Sequence, residues 1–175
     1  MMKYIALLRG INVSGHKKIP MAELRTLLTD SGLENVQTYI QTGNVIFDAA
    51  ASAEMLKNQI EVAIKNHFGF DVPVLVITPK VLRQIFDDCP FSEEKKQNSY
   101  FSLLYDAPKQ ELIDAVAEIK YPNEEVSITK NCIYFYCSTG YGKTKYNNNF
   151  FEKKLNVTAT ARNYKTMLKL LSLSE

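Results

Sequence analysis

The 175 residues are enough for one domain with a large core or for two small ones. Hydrophobic residues make up 46% of the chain and charged residues 23%, as in ordinary globular proteins. No apolar run approaches the roughly 18 residues that a membrane-spanning helix needs, and no hydrophobic signal-peptide segment precedes Tyr4. We therefore expect a cytoplasmic protein. Three scattered cysteines predict reduced packing residues rather than a zinc or redox motif.

The net charge of +2 hides an uneven distribution along the chain. Residues 87–125 carry ten acids against four lysines, whereas residues 143–169 carry six lysines and one arginine against one glutamate. Such an asymmetry can mark an anionic partner, or it can reflect solvated helix faces that balance each other. The sequence alone supports both interpretations.

The first half of the chain predicts the element order β-α-β-β-α-β. Apolar residues at helical spacing predict one helix that opens at Pro20 and another that Ser52 caps and Gly69 ends. Short apolar runs predict strands at residues 3–9, 36–40, 45–47 and 72–77. This is the order of a ferredoxin-like unit. A short helix that ends before Cys89 follows it.

The second half repeats this order after a charged, turn-rich stretch. Strands are predicted at residues 100–105, 126–129, 132–136 and 157–161. Helices are predicted to open at Pro108, to span residues 144–155 and to run from Asn163 to Leu171. We therefore predict an α+β fold of two ferredoxin-like βαββαβ units in tandem with an extra C-terminal helix. The predicted division is 1–90 for the first unit with its short connecting helix, 91–99 for a linker, and 100–175 for the second unit with the C-terminal helix.

Familiar catalytic motifs are weak in this sequence. His16 lies in the first loop with no second histidine or clear carboxylate near it in sequence, and no serine lies in a GxSxG elbow. The stretch TGYGKTK at residues 139–145 lacks the GxxxxGK[ST] spacing of a P-loop and follows a hairpin strand, so we do not expect nucleotide hydrolysis there. We predict no metal and no cofactor. Whether the protein is an enzyme is left undecided.

Hydrogen-bond donors without an obvious base collect in predicted loops and helix starts. Free N–H groups at helix starts attract anions, and neighbouring lysines and arginines strengthen the binding of phosphate or carboxylate. Each donor alone could instead cap a helix, form a turn or be solvated. The candidate ligand-binding residues are Arg9, Asn12, Lys17, Lys18, Gln41, Thr42, Asn44, Lys143, Thr144, Lys145, Asn148, Arg162 and Asn163.

Aromatic residues in the strand at 132–136 give a second indication. Alternation places Ile133 and Phe135 on one face and Tyr134 and Tyr136 on the other. A ferredoxin-like sheet has one face without helices, and tyrosines there could stack on bases as in RNA-recognition domains. The RNP1 pattern of those domains is missing, and the open faces of the two halves could equally pack together.

Four stretches closely resemble a bacterial family known as domain of unknown function 1697. The resemblance runs nearly from end to end, and its LLRGIN and QTGNV segments are distinctive. It implies a cytoplasmic bacterial α+β protein with two ferredoxin-like subunits and no established activity. The stretches are YIALLRGINVSGHKKIPMAELRTLL, YIQTGNVIF, GKTKYNNNFFEKKL and TATARNYKTMLKLL.

The resemblance also extends to individual positions. In the family pattern G-x-S-K-x-[ST]-N, Lys145 and Asn148 match, whereas Thr144 replaces the serine and Asn147 stands where serine or threonine is usual. In the last stretch Arg162 and Asn163 match, and the next residue is a tyrosine where the family often has tryptophan. The recurrent family positions thus coincide with several of the candidate donors.

These observations favour a binding module for a phosphate-bearing ligand, either nucleic acid or nucleotide. Lysines and arginines of the candidate set would contact phosphate, and its asparagines and Gln41 would orient the ligand. One alternative is an enzyme that acts on a small anionic substrate, with His16 or an unassigned carboxylate as the base. Another is a protein-interaction module that uses the acidic and basic segments. No membrane partner is expected, and the sequence does not determine the oligomeric state.

Overall fold

A computed structural model describes the whole chain, from Met1 to Glu175. The strands are β1 (Met2–Leu8), β2 (Glu34–Tyr39), β3 (Asn44–Ala49), β4 (Val74–Ile77), β5 (Ser99–Leu104), β6 (Glu124–Ile128), β7 (Cys132–Cys137) and β8 (Ala159–Asn163). The helices are α1 (Met21–Asp30), α2 (Ala53–Phe68), α3 (Pro79–Asp87), α4 (Glu93–Lys96), α5 (Gln110–Ala117), α6 (Asn148–Leu155) and α7 (Tyr164–Ser174). A 3-10 turn spans Tyr141–Lys143.

The strands form two four-stranded antiparallel sheets. Their orders are β2-β3-β1-β4 and β6-β7-β5-β8, so the first and third strands of each βαββαβ sequence are central. This arrangement confirms the predicted α+β fold of tandem ferredoxin-like units with α7 as the extra helix. None of the helices is both long and apolar enough to cross a lipid bilayer.

The chain divides into two compact units. The first comprises Met1–Arg83 and Lys169–Glu175, and the second comprises Gln84–Leu168. The boundaries between them fall inside α3 and inside α7. The stretch expected to be a linker, residues 91–99, contains α4 and the first residue of β5. The domain boundaries read from the sequence stay a prediction.

The core of the first unit lies between its sheet and the helices α1 and α2. Alternation along β1 brings Tyr4 and Leu8 into this core, and residues spaced by four along α2 bring in Ile60 and Ile64. Both predicted ends of α2 are confirmed, because Ser52 accepts a first-turn N–H and the Gly after the helix has a φ of +81°.

The second unit builds its core in the same way from β7 and α6. Phe135 packs against Phe151 with their ring centroids 5.3 Å apart, and both are buried. The helix expected over residues 144–155 begins only at Asn148, because the side chain of Asn147 caps it by accepting the N–H of Phe150 at 2.9 Å. The last strand runs from Ala159 to Asn163 rather than over residues 157–161.

The three cysteines form no disulfide bonds. Cys89 and Cys132 are buried, and burial raises the pKa of both thiols. Cys137 is only half-buried. No three His, Cys, Asp or Glu side chains lie close enough together to hold a metal ion.

Candidate functional site

The candidate donors are divided between the two units. Arg9, Asn12, Lys17, Lys18, Gln41, Thr42 and Asn44 belong to the first unit. Lys143, Thr144, Lys145, Asn148, Arg162 and Asn163 belong to the second.

Asn12 organises the loop that follows β1. Its side-chain amide donates to the carbonyl oxygens of Ile19 at 3.0 Å and Gln41 at 2.8 Å, and its Oδ1 accepts the N–H of Ile19 at 2.8 Å. The residue has a φ of +55°, in the left-handed region that asparagine tolerates better than most residues. Asn12 thus holds two loops together, and its polar groups are used inside the protein.

The hairpin between β2 and β3 is held in the same manner. Asn44 is fully buried and donates to the carbonyl oxygen of Tyr39 and to Oγ1 of Thr42, both at 3.0 Å. Gly43 has a φ of +87°, and a Cβ at this position would lie 2.6 Å from Cβ of Leu8. The distinctive QTGN sequence is therefore explained by the construction of a tight turn against β1.

A cavity of about 360 Å³ in the first unit brings three of the candidate residues together. Lys18 and Gln41 are exposed there, and Asn12 forms part of the wall. Lys17 is directed elsewhere, since its ammonium donates to the carbonyl oxygen of Asp71 at 2.5 Å. Arg9 is half-buried, and its backbone N–H donates to the carbonyl oxygen of Pro73 at 3.0 Å.

In the second unit, a carboxylate of the protein itself binds to the loop that partly resembles a P-loop, at residues 139–145. Glu124 of β6 accepts the hydroxyl of Thr144 at 2.5 Å, and the backbone N–H groups of Lys145 at 2.7 Å and Tyr146 at 2.9 Å. Burial alone would raise the pKa of Glu124, but these hydrogen bonds outweigh it and hold the pKa below its ordinary value. The loop does bind an anion, and that anion is the protein's own glutamate.

The neighbouring donors also have internal partners or lie in solvent. Asn148 donates to the carbonyl oxygen of Ala159 at 2.8 Å and accepts the hydroxyl of Ser102 at 2.6 Å. The ammonium of Lys145 lies 5.1 Å from the centre of the Tyr121 ring. Lys143, at the end of the 3-10 turn, is exposed.

Arg162 directly precedes the helix predicted from Asn163 and was counted among the donors at helix starts, which is wrong because it lies in β8. It pairs with Phe101 of β5, on the sheet face opposite to the core around α6. Only 6% of the residue is exposed. Its guanidinium donates to Oγ1 of Thr160 at 2.6 Å and to the carbonyl oxygen of Ala161 at 2.9 Å. Burial lowers its pKa to about 10.

Tyr134, one of the two tyrosines considered for base stacking, is buried. It is 1% exposed, and its hydroxyl donates to the carbonyl oxygen of Ile85 at 2.7 Å. The rings of Phe86 and Phe101 stack beside it, so the end of α3 covers this part of the sheet. Tyr134 is therefore a core residue, whereas Tyr136 is only half-buried.

A second cavity, of about 460 Å³, lies where β5 begins and β7 and β8 end. We call it the tyrosine cavity. The strand register explains its position, because Ser99 pairs with Tyr136 and Tyr100 pairs with Asn163. It is lined by Gln97, Asn98, Ser99, Tyr100, Tyr136, Cys137, Ser138, Gly140, Tyr141, Asn163, Tyr164 and Lys165.

Tyr141 presents the most accessible ring of the tyrosine cavity. It is 41% exposed, and its ring stacks on that of Tyr100 with the centroids 4.0 Å apart. Burial raises the pKa of both phenols, so both are neutral near pH 7. Tyr136 is more enclosed, since the ammonium of Lys95 lies 5.7 Å from its ring and Phe91 lies 6.5 Å away.

Polar groups at the start of α7 complete the cavity. Asn163 caps this helix by accepting the N–H of Thr166 at 2.9 Å, which leaves its side-chain NH₂ without a partner inside the protein. Lys165 is exposed in the first turn, which contains no acidic residue. Tyr164 donates its hydroxyl to Glu93 at 3.0 Å. The helix start, a lysine and an amide therefore border the same space as an exposed aromatic ring.

Sequence reasoning identified Asn163 and Tyr136 but missed most of this cavity. Lys165 follows Asn163 by two positions in the TATARNYKTMLKLL stretch, so its place in a first helical turn was a usable signal. Tyr100 and Tyr141 carry no such local signal, because only the pairing of β5 with β8 and the 3-10 turn bring them beside Asn163.

Comparison with known proteins places the chain in a family. The conserved bacterial protein SP0830 from Streptococcus pneumoniae has a similar solved structure, with a TM-score of 0.79 and 27% sequence identity. The match covers 99% of this chain and 98% of that protein. No curated protein matches the sequence. The model of the family described as protein of unknown function (DUF1697) matches residues 1–134, and this chain therefore belongs to that family.

Proposed function

We propose that the protein binds a phosphate-bearing ligand, a nucleotide or nucleic acid, in the tyrosine cavity. The observation that carries the proposal is the combination of an accessible tyrosine ring, amide groups and a lysine at a helix start around one cavity of about 460 Å³. Sites for small molecules commonly measure roughly 300–1,000 Å³ and place a few polar groups beside aromatic surface. The candidate residues of the first unit are more strongly committed to internal hydrogen bonds.

The tyrosine cavity offers a suitable group for the base, the sugar and the phosphate of such a ligand. A base would stack on the exposed face of Tyr141, whose other face rests on Tyr100. The side-chain amides of Gln97 and Asn163 would hydrogen-bond the edge of the base or the sugar. The phosphate would lie near Lys165 and the first turn of α7, where a cation and free N–H groups both favour an anion.

The lining favours holding a ligand over exchanging protons with it. It contains no aspartate, glutamate or histidine, and the phenols of Tyr100 and Tyr141 stay neutral near pH 7. We therefore prefer a binding role to the alternative of an enzyme with His16 as base. His16 lies in the first unit, in the loop after β1.

Binding of fluorescent nucleotides and short oligonucleotides at two salt concentrations tests the proposal. Stacking contributes about 1–3 kcal/mol per base, so Tyr141→Ala is expected to weaken binding roughly tenfold. Lys165→Gln is expected to weaken binding severalfold and to reduce its dependence on salt, because a phosphate contact is lost. Arg162 is a poor choice for this test because its substitution would disturb a buried group.

The matched control is Lys18→Gln in the first unit, which removes one exposed lysine outside the tyrosine cavity. It should leave binding unchanged, and thermal unfolding should show that all three variants remain folded. The proposal is wrong if no nucleotide or oligonucleotide binds at millimolar concentration, or if the two cavity variants bind as the unaltered protein does.

A further inference from the structure

We infer that the tyrosine cavity selects a nucleoside monophosphate rather than a nucleic acid strand. This inference rests on the proposed function and narrows it to one ligand class. Three features of the cavity carry it: the charges around the rim, the number of accessible aromatic rings, and the number of cations.

The rim of the tyrosine cavity carries carboxylates. Glu93 accepts a hydrogen bond from the hydroxyl of Tyr164, and Tyr164 lines the cavity. The ammonium beside Tyr136 belongs to Lys95, and it forms a salt bridge with Glu125. A strand that leaves the cavity would bring its next phosphates toward the carboxylate of Glu93 and the mutually neutralised pair of Lys95 and Glu125. Proteins that bind single strands instead follow the backbone with a positively charged groove.

Tyr141 offers the most exposed ring of the cavity for stacking a base. Tyr141 is 41% exposed and Tyr100 lies beneath it. Tyr136 is flanked by Lys95 and Phe91, and the half-buried ring of Tyr164 packs against that of Phe86 with the centroids 5.5 Å apart. Binders of single strands stack successive bases on several aromatic side chains. The cavity offers a place for one base.

The lining contains one cation. Lys165 and the first turn of α7 can balance about one phosphate group. A diphosphate or triphosphate adds negative charge without a second lysine or arginine in the lining to receive it. A nucleoside monophosphate therefore matches both the aromatic and the charged parts of the cavity.

Isothermal titration of the full chain with the common nucleosides, their monophosphates and triphosphates, and a ten-nucleotide single-stranded oligonucleotide tests this inference. At least one monophosphate should bind five times or more tightly than its nucleoside, with a weak dependence on salt, and no less tightly than its triphosphate. The oligonucleotide should bind no more tightly than that monophosphate. An oligonucleotide that binds ten times more tightly and with a steep salt dependence would overturn the inference but leave the proposed function standing.

Two other results would overturn the proposed function as well. They are the absence of binding by every phosphate-bearing compound, and equal affinities for nucleoside and monophosphate. These outcomes differ from the oligonucleotide result, so selectivity for a monophosphate can be disproved while ligand binding in the cavity stands.

Glu93→Gln supplies a variant aimed at the rim. The amide oxygen can still accept the hydroxyl of Tyr164, so the substitution removes charge while it preserves the hydrogen bond. Oligonucleotide affinity is expected to rise severalfold, and monophosphate affinity is expected to stay within twofold. Unchanged oligonucleotide binding would show that Glu93 does not repel a strand. The charge at the rim would then no longer support selection of a monophosphate.

Discussion

The loops of the first unit and the tyrosine cavity of the second unit differ in how their polar side chains are used. Asn12 and Asn44 give their amide groups to backbone carbonyls of the same unit. In the tyrosine cavity the NH₂ of Asn163 has no protein partner, and Lys165 is exposed. A stretch of sequence rich in hydrogen-bond donors can therefore have either of two roles. It can bond to backbone groups of the same protein, or it can bind a ligand.

The contacts of Glu124 show that groups within the second unit also differ in whether they serve the fold or remain available to a ligand. The loop over residues 144–146 offers a hydroxyl and two adjacent N–H groups, a set that suits phosphate. Because the carboxylate of Glu124 already accepts all three, this loop contributes to stability. Three substitutions test the division between structural and ligand-binding groups, beginning with the largest expected effect.

Gly43→Ala should lower the free energy of unfolding by about 3 kcal/mol or more, or prevent folding. The new Cβ would lie 2.6 Å from Cβ of Leu8 and the residue would keep a φ of +87°, so steric overlap and backbone strain add together. Urea denaturation measures the loss. Gly10→Ala is the matched control, since its φ is +72° but no atom lies within 4 Å of the added carbon. It should cost only about 1 kcal/mol, and equal losses in the two variants would contradict the steric explanation.

Asn12→Ala should lower the free energy of unfolding by about 2 kcal/mol and leave ligand binding in the tyrosine cavity unchanged. The substitution removes three hydrogen bonds and places alanine at a φ of +55°. Gln41→Ala is the control, because the described contact to Asn12 uses only the backbone carbonyl of Gln41. Denaturation and nucleotide titration of both variants separate the two roles. Loss of binding with full stability in Asn12→Ala would mean that this loop contacts the ligand.

Glu124→Gln should lower the free energy of unfolding by about 1 kcal/mol at pH 7. Because hydrogen bonds hold the pKa of Glu124 below its unfolded value, the ionised carboxylate stabilises the folded state above that unfolded value. This contribution is lost as the pH falls through the folded pKa. The difference between the two proteins should therefore shrink from pH 7 toward pH 3.

Glu125→Gln is the control for this measurement. Its carboxylate forms an exposed salt bridge with Lys95, and such solvent-screened pairs contribute little to stability. A difference between Glu124→Gln and the unaltered protein that does not change with pH would contradict the assigned role of the carboxylate.

The order and type of the main elements could be predicted from local patterns. Apolar spacing in α2, its cap at Ser52 and its end at Gly69 are decided within a few residues of chain, so the sequence carries them directly. The start of α6 was misplaced because Lys145 and Tyr146 give their N–H groups to Glu124, about twenty residues away in the sequence. The cap at Asn147 is local, but the contact that holds residues 145 and 146 outside the helix has no local signature.

The candidate site was harder to predict for the same reason. Lysine, arginine and asparagine can be recognised in a sequence, but their partners cannot. Arg162 and Asn163 are adjacent in β8, but their side chains lie in different surroundings. Arg162 is buried against the sheet, whereas Asn163 lines the tyrosine cavity. The ring of Tyr141 reaches the site only because a 3-10 turn returns the chain to Tyr100.

The pairing of Tyr100 with Asn163 joins the tyrosine cavity to β8, one of the two edge strands of its sheet. Edge strands have hydrogen-bonded neighbours on one side only, so they are the strands that separate most easily from a sheet. Separation of β8 would pull apart the two residues that border the cavity. A ligand held there would consequently suppress local opening of β8, and its concentration would set how often this edge of the sheet is exposed to proteases or to other chains.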